Sequence, residues 1–188
     1  DQVGGITPGV KVVRTQPGGD QTPSVQWCVF DRAPDSAFRR RLLLYYTGYQ
    51  RMAKNILHNV VSSYLRRDAN TLAVVDELKR LAESMKRSLD ARDADGFGRG
   101  VEAYWSLKKR IDPGSTNAKI EAVLDRVGDE LTGKVLPGAG GGGFVFMVAR
   151  SVAAAERVRA TLEADPPNRL ARFFEFDVDG KGLSVSVL

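Results

Sequence analysis

The residues best suited to chemistry in this chain form a glycine run between two apolar segments, Pro137-Gly138-Ala139-Gly140-Gly141-Gly142-Gly143. Backbone amides of consecutive glycines have no side chain beside them, and together they can line a concavity that binds an anion such as phosphate. We therefore predict that this run is a hairpin loop close to a bound phosphate group. A flexible hairpin without a ligand is the alternative interpretation.

Two familiar nucleotide-binding motifs are excluded at this run. Gly138, Gly140 and Gly143 have the spacing of the dinucleotide fingerprint, but that motif must be followed by a helix. Residues 144–149 read Phe-Val-Phe-Met-Val-Ala, which predicts a strand instead. A Walker loop is excluded because Phe144 and Val145 stand where Lys and Ser or Thr are required.

Metal and thiol chemistry have little support in the sequence. One cysteine, Cys28, rules out a disulfide framework and a Cys-rich zinc site, and the single histidine, His58, nearly rules out a His-based metal site. We expect Cys28 to be a buried thiol in a strand and His58 to lie on the polar side of a helix. Asp112 and Asp125 are the remaining metal candidates, although carboxylates at helix ends are common. We predict no metal ligand in this chain and a reducing, cytoplasmic compartment.

Composition and charge limit the class of protein. The 188 residues suit one domain, or one domain with an appendage, and 43% hydrophobic with 27% charged residues is typical of a globular fold. No stretch is apolar enough to cross a membrane, which needs roughly 18 residues. The net charge is +5, with basic runs at 39–41, 66–67, 86–87 and 108–110. These runs favour solvated faces with acids nearby, so nucleic acid is not the favoured partner, and RNA binding is the alternative.

The elements that must position the glycine run follow from the apolar spacing. Residues 10–13, 25–29 and 42–46 predict strands. Apolar residues at helical spacing predict helices over 49–65, 71–92, 97–111 and 117–127, with Ser115 or Thr116 as the cap of the last. The strands 132–136 and 144–149 flank the glycine run, and a helix capped by Ser151 follows to residue 163. Residues 172–178 and 183–187 predict a closing hairpin around 179–182. This order predicts an α+β domain with a largely antiparallel sheet.

Several side chains on these elements have expected roles. Tyr104 and Trp105 are predicted to pack in the core, and the aliphatic stem of Lys108 is predicted to cover apolar surface while its charge stays in water. Arg51 and Lys54 are expected on a solvated helix face, with contact to a substrate phosphate across the Thr47–Gly48 turn as the alternative. A subunit contact through the middle helices, residues 71–111, would give the chain a structural role.

Three segments together resemble a known family. Leu136 to Phe144, around the glycine run, resembles the third conserved motif of the GHMP small-molecule kinases. Leu44-Tyr45-Tyr46-Thr47-Gly48, followed by Arg51 and Ala53-Lys54, is similar to the segment that opens their carboxy-terminal domain. Asp1-Gln2 with Gly4-Gly5 resembles the Asp-Gln element just before it. The resemblance extends along nearly the whole chain and is strongest to the L-fucokinase branch, including the bifunctional fucokinases, with heptose-phosphate kinases as the alternative.

The resemblance implies an activity and roles for individual residues. It implies transfer of the ATP γ-phosphoryl group to the anomeric hydroxyl of L-fucose, with Mg²⁺ as cofactor, and sugar and ATP as partners. Asp1 would be the catalytic carboxylate, and Gly4, Gly5, Tyr46, Thr47 and Gly48 would lie near the sugar. The phosphate-proximal residues would be Gly138, Ala139, Gly140, Gly141, Gly142 and Gly143.

The resemblance also implies a division of the chain and a missing part. Residues 1–40 would be the end of the catalytic amino-terminal domain with connecting strands, and 41–188 would be the GHMP kinase carboxy-terminal domain. The chain begins without Met, and the family's Ser-rich phosphate loop is absent from it. We therefore expect a piece of a longer polypeptide that binds ATP weakly and does not phosphorylate fucose alone.

Overall fold

The computed structural model describes residues 2–19, 21–50, 56–138 and 140–186. Its strands are β1 (Lys11–Arg14), β2 (Ser24–Trp27), β3 (Leu42–Tyr46), β4 (Leu131–Val135), β5 (Phe144–Ala149) and β6 (Arg172–Phe174). Its helices are α1 (Gln2–Ile6), α2 (Ala37–Arg40), α3 (Ile56–Leu65), α4 (Ala69–Asp90), α5 (Ala94–Ile111), α6 (Ala118–Asp125) and α7 (Val152–Ala164). Short 3-10 turns cover Pro113–Ser115 and Gly128–Glu130. None of the helices in the described ranges is both long and apolar enough to cross a bilayer.

A four-stranded antiparallel sheet holds the glycine run. The strand order is β4-β5-β3-β6, so β4 and β5 form a hairpin whose connection is the run itself. Strand β3 lies beside β5 with Tyr46 opposite Phe144, which brings the end of β3 to the base of the hairpin. The predicted α+β fold and antiparallel sheet are confirmed. Strands β1 and β2 form a separate two-stranded sheet, as their position before the main sheet in the sequence allows.

The core lies between the sheet and the helices. Alternate residues of β3 and β5 are buried, among them Leu43, Tyr45, Val145 and Met147, as the period of two in a strand requires. Helix α7 and helix α6 contribute a second apolar layer, Ala154, Ala155, Val158, Leu162, Ile120, Val123 and Leu124. Trp105 of α5 is fully buried, whereas Tyr104 is half-buried against the core.

Helix α5 approaches β4 unusually closely through two glycines. A Cβ atom at Gly133 would overlap the carbonyl oxygen of Gly98 and lie 2.9 Å from its carbonyl carbon. Because neither residue has a side chain, the helix and strand backbones come into direct contact. The last turns of α5 therefore reach the end of β4, where the glycine run begins.

Two element predictions are wrong in their details. The cap of α6 is Asn117, whose Oδ1 accepts from the Lys119 and Ile120 amides, because Ser115 is already part of a 3-10 turn. The predicted closing hairpin is also absent: only β6 forms, and 183–186 pair with no strand among the described residues. Leu183 donates instead to the Ile6 carbonyl at 3.0 Å, because the Asp179 carboxylate accepts from the 181 and 182 amides and turns the chain toward α1.

Candidate functional site

The glycine run has a backbone conformation that other residues avoid. Gly138, Gly140, Gly141 and Gly143 have φ values of +69°, +89°, +76° and +87°. The left-handed region costs an L-residue roughly 1–2 kcal/mol, so glycine is needed at each of these positions. These glycines belong to residues 137–143, here named the glycine loop, of which Ala139 lies outside the described residues.

The first anchor of the glycine loop is Lys108 on α5. Its Nζ donates to the carbonyl of Leu136 and, at 2.6 Å, to the carbonyl of Gly138. Only 7% of Lys108 is exposed, and its Nζ lies 5.7 Å from the ring centroid of the buried Trp105. The expectation that its charge stays in water is therefore wrong. The close α5–β4 contact brings the ammonium to two carbonyls, which replace the lost water.

The second anchor is the segment between α5 and α6. The Gly141 amide donates to the Ser115 carbonyl at 2.8 Å, and the Asn117 side chain donates back to the Gly141 carbonyl at 2.9 Å. A Cβ atom at Gly140 would overlap the Ser115 carbonyl oxygen and lie 2.9 Å from Ser115 Cα. The 3-10 turn at Pro113–Ser115 thus holds the middle of the loop, and Gly140 is required for its close approach.

The third anchor is the end of β3. The Thr47 amide and its Oγ1 both donate to the Gly143 carbonyl at 2.9 Å, and the Gly143 amide donates to the Tyr49 carbonyl at 3.0 Å. Thr47 is fully buried. The structure therefore brings together two of the segments that the sequence singled out, the Tyr46–Gly48 segment and the glycine loop, although they are 96 residues apart at this bond.

Asn168 holds the Thr47–Gly48 turn from the other side. Its Nδ2 donates to the Thr47 carbonyl at 2.8 Å, and Gly48 has a φ of +71° directly against the Asn168 amide group. Lys108, Asn117 and Asn168 were not predicted to be parts of this site. The positions of Asn117 before α6 and of Asn168 after a Pro-Pro pair are the available signals, and neither points to the glycine loop.

The loop amides divide into used and unused groups. Gly141 and Gly143 donate into the fold, so not every amide of the loop is directed to a ligand. None of the described residues accepts a hydrogen bond from the amides of Gly140 and Gly142, and both residues are buried. Buried amides normally have an acceptor. The amides of Gly140 and Gly142 therefore lack an acceptor among the described residues, and a phosphate oxygen is one group that would supply it.

A groove of about 650 Å³ lies beside the loop. Its lining residues are Tyr49, Gln50, Gly114, Thr116, Asn117, Ala118, Lys119 and Gly141. The exposed Lys119 is the cation among the described lining residues, with its Nζ 5.4 Å from the ring centroid of Tyr49. The groove thus joins a positive charge, an aromatic ring and the loop backbone, which suits a ligand carrying phosphate.

The other predicted site residues lie elsewhere or outside the described ranges. Asp1, Arg51 and Lys54 fall outside the described residues. Gly4 and Gly5 lie in α1 with no atom near the position of their Cβ, and the Gly4 carbonyl accepts from Lys11 at 3.3 Å. No hydrogen bond among the described residues joins α1 to the glycine loop, so the roles of Gly4 and Gly5 near the sugar stay predictions.

Two further residues have altered acidities, and neither belongs to the loop. Burial raises the pKa of the half-buried Cys28 thiol, which keeps it protonated, with a partly opposing effect of Lys86. Burial likewise raises the pKa of the Tyr45 phenol, which lies in the core of the sheet. His58 is exposed, and its Nε2 lies 3.4 Å from Ser62 Oγ one helical turn away.

The residues around the loop do not suit a magnesium ion. Among the described residues, no group of three or more His, Cys, Asp or Glu side chains lies in a metal-binding arrangement. Mg²⁺ prefers carboxylate, phosphate and water oxygens, whereas the loop is surrounded by amides and lysines. The chemistry that the described residues of the loop can supply is therefore hydrogen bonding and positive potential.

Comparison with known proteins gives concordant matches. A family model described as GHMP kinases C terminal matches residues 75–168. The L-fucokinase/L-fucose-1-P guanylyltransferase of Bacteroides fragilis is 38% identical over 186 residues, which is 99% of this chain and 20% of that protein. The bifunctional fucokinase/GDP-fucose pyrophosphorylase of Arabidopsis thaliana is 30% identical over 187 residues, 100% of this chain and 17% of that protein.

A solved structure agrees with the fold. L. major mevalonate kinase in complex with R-mevalonate has a TM-score of 0.67 and 16% identity, covering 92% of this chain and 50% of that one. At this identity the likeness concerns the fold alone. The chain spans about a fifth of the length of the curated relatives that it matches.

Proposed function

Because the chain belongs to the GHMP kinases through their C-terminal domain, we propose that it is part of a sugar kinase acting on L-fucose. The reaction is transfer of the γ-phosphoryl group of ATP to the anomeric hydroxyl of the sugar. The similarity of the whole chain to two fucokinases supports this substrate. A heptose phosphate, the alternative sugar substrate, has no comparable support, and the proposed compartment is the cytoplasm.

The observation that carries the proposal is a pair of amides without an acceptor among the described residues, in a loop that is anchored at its start, middle and end. Lys108, Ser115 and Thr47 hold the glycine loop at its start, middle and end. The amides of Gly140 and Gly142 are left to donate to phosphate oxygens. In phosphoryl transfer a protein mainly positions the reactants and stabilises charge on the transferred group, and preformed amides do both without reorganisation.

The groove beside the loop would receive the rest of the ligand. Lys119 supplies a positive charge there, and Thr47 and Tyr49 connect the loop to the end of β3. We assign Tyr46, Thr47 and Gly48 to the border of the sugar site and Asp1 to acceptance of the hydroxyl proton. ATP supplies the phosphoryl group when bound, and the residues of this chain bind and orient it.

RNA binding has less support from the same structure. Arginines and lysines of the basic runs form ion pairs, including Arg40 with Glu156 at 3.1 Å, Arg110 with Glu77 at 3.2 Å and Lys109 with Glu121 at 3.5 Å. Paired charges contribute less to binding a phosphate backbone than free ones. Titration of the chain with labelled RNA at rising salt tests this alternative, and we expect no salt-sensitive binding.

The test of the proposed function uses a chimera. The matching segment of the Bacteroides fragilis relative is replaced by this chain, and ATP-dependent sugar phosphate formation is followed by ³¹P NMR, which identifies the anomeric phosphate. We expect L-fucose to be phosphorylated in preference to a heptose phosphate, and the 188-residue chain alone to form no product.

A chimera that folds, as judged by its circular dichroism and melting transition, but phosphorylates only a sugar other than L-fucose would contradict the proposed substrate. Fucose 1-phosphate formation by the isolated chain would contradict the expectation that the chain is inactive alone.

A further inference from the structure

Lys108 has a position that its packing alone does not require. The residue is 7% exposed, and a buried ammonium loses its hydration at considerable cost unless hydrogen bonds replace it. Its Nζ lies near the Trp105 ring, and a methionine or leucine would fill the space of this side chain without that cost. The charged end is directed to the glycine loop, at the carbonyls of Leu136 and Gly138.

Those two carbonyls matter for anion binding. A carbonyl oxygen carries a partial negative charge, so a loop that presents carbonyls to a phosphate repels it, whereas one that presents amides attracts it. Lys108 binds the carbonyls at the start of the loop and keeps them turned toward α5. The Asn117 side chain likewise donates a hydrogen bond to the Gly141 carbonyl and fixes its direction. Because peptide units are trans, the Gly142 N–H then points away from Asn117.

We infer that Lys108 is a positioning residue that holds the start of the glycine loop, with the carbonyls of Leu136 and Gly138 turned toward α5 so that they do not repel a phosphate bound at the loop. The inference rests on the proposed function, since it presumes a phosphate ligand at this loop. Lys108 contacts the loop backbone from inside the fold, and its charge also raises the positive potential on the anion side. The charge-assisted hydrogen bonds to carbonyls are of the stronger kind.

The chain offers a closely matched control. Lys109 is the next residue of α5, its Nζ lies 5.2 Å from the same Trp105 ring, and it pairs with Glu121 at 3.5 Å instead of the loop. Lys109→Met therefore removes the same charge from the same helix without touching a loop carbonyl. Lys108→Met removes the carbonyl contacts, and Lys108→Arg restores a cation with several donors.

The first experiment measures the loop itself in the ¹⁵N-labelled full chain. In the unaltered protein the Lys108 ammonium should give a slowly exchanging ¹⁵Nζ signal, unlike solvated lysines. Lys108→Met should speed hydrogen exchange at the Gly141 and Gly143 amides about tenfold, in keeping with the loss of charge-assisted bonds. Lys109→Met should leave both rates unchanged.

The second experiment adds inorganic triphosphate as the probe. We expect it to shift the amide resonances of Gly140 and Gly142, with about tenfold weaker binding in Lys108→Met, partial recovery in Lys108→Arg and no change in Lys109→Met. If Lys108→Met does not fold, the exchange rate of the Lys108 ammonium in the unaltered protein still tests the inference.

The outcomes separate the inference from the proposed function. A rapidly exchanging Lys108 ammonium, or unchanged loop exchange in a folded Lys108→Met, overturns the positioning role and leaves the kinase proposal intact. Loop exchange that depends on Lys108, with no triphosphate response at Gly140 or Gly142 in the unaltered chain, overturns the phosphate role of the loop. The second result also contradicts the observation that carries the proposed function.

Discussion

Replacement of Gly140 by alanine tests how the loop is held. The φ of this residue is +89°, and the new Cβ would overlap the carbonyl oxygen of Ser115. The obstacle is backbone, fixed by the 3-10 turn at Pro113–Ser115, and not the end of a flexible side chain. The loop must therefore move, which breaks the hydrogen bond from the Gly141 amide to Ser115.

The expected loss of stability follows from these two terms. The left-handed conformation costs alanine roughly 1–2 kcal/mol. The lost hydrogen bond costs about 0.5–1.5 kcal/mol more. We therefore expect Gly140→Ala to lower the free energy of unfolding by about 1.5–3.5 kcal/mol, which corresponds to roughly 3–14 °C in melting temperature for a chain of this length.

Gly138→Ala is the matched comparison for this measurement. Its φ is +69°, in the same loop, but nothing lies within 4 Å of the position of its Cβ. Only the conformational cost applies, about 1–2 kcal/mol. Urea and thermal unfolding of both variants give the difference directly. If Gly138→Ala destabilises as much as Gly140→Ala, the contact between Gly140 and Ser115 does not hold the loop and the reasoning is refuted.

Two further predictions concern the anchor at β3 and the response to acid. Thr47→Val should lower the free energy of unfolding by about 1–2 kcal/mol, because the buried Oγ1 no longer donates to the Gly143 carbonyl or accepts from the Tyr49 amide. The Arg41 guanidinium lowers the pKa of Asp95 below its ordinary 3.8, so their ion pair stabilises the fold at neutral pH and is lost as the pH falls below that value. Asp95→Asn should therefore lower the melting temperature at pH 7 and make little difference at strongly acid pH.

These predictions have their own controls. Thr161→Val changes an exposed threonine in the same way and should be nearly neutral, so equal losses at both threonines would contradict the role given to Thr47. For Asp95, an equal deficit at neutral and strongly acid pH would mean that the ion pair with Arg41 does not carry the effect.

Much of the architecture was predictable because it depends on local patterns. The strands on either side of the glycine loop are short apolar runs, and the helices α4 and α5 have apolar residues at helical spacing, so their existence follows from the sequence. The absence of the closing hairpin was not predictable, because the pairing of its strands competes with long-range hydrogen bonds. The contact from Leu183 to Ile6 is one of these, and no local pattern signals it.

Lys108 shows why a side-chain role is harder to predict than an element. At its place in α5 the helical pattern calls for a partly buried residue, and a lysine there ordinarily directs its charge to solvent. The charge is buried here because Gly98 and Gly133 let α5 approach β4. The environment of this lysine thus depends on a glycine of a different element, a relation that the spacing within one helix does not contain.

What the amino-acid order determined by itself is the hairpin of glycines between two apolar strands in an antiparallel α+β fold, because backbone freedom and apolar period are local properties. Tertiary structure alone decided which groups hold that hairpin. Lys108 and Asn117 bind the loop across 30 and 24 residues, and Asn168 binds the Thr47–Gly48 turn across 121 residues. It also decided which amides remain free, since each N–H that donates into the fold does so to a carbonyl brought there only by packing.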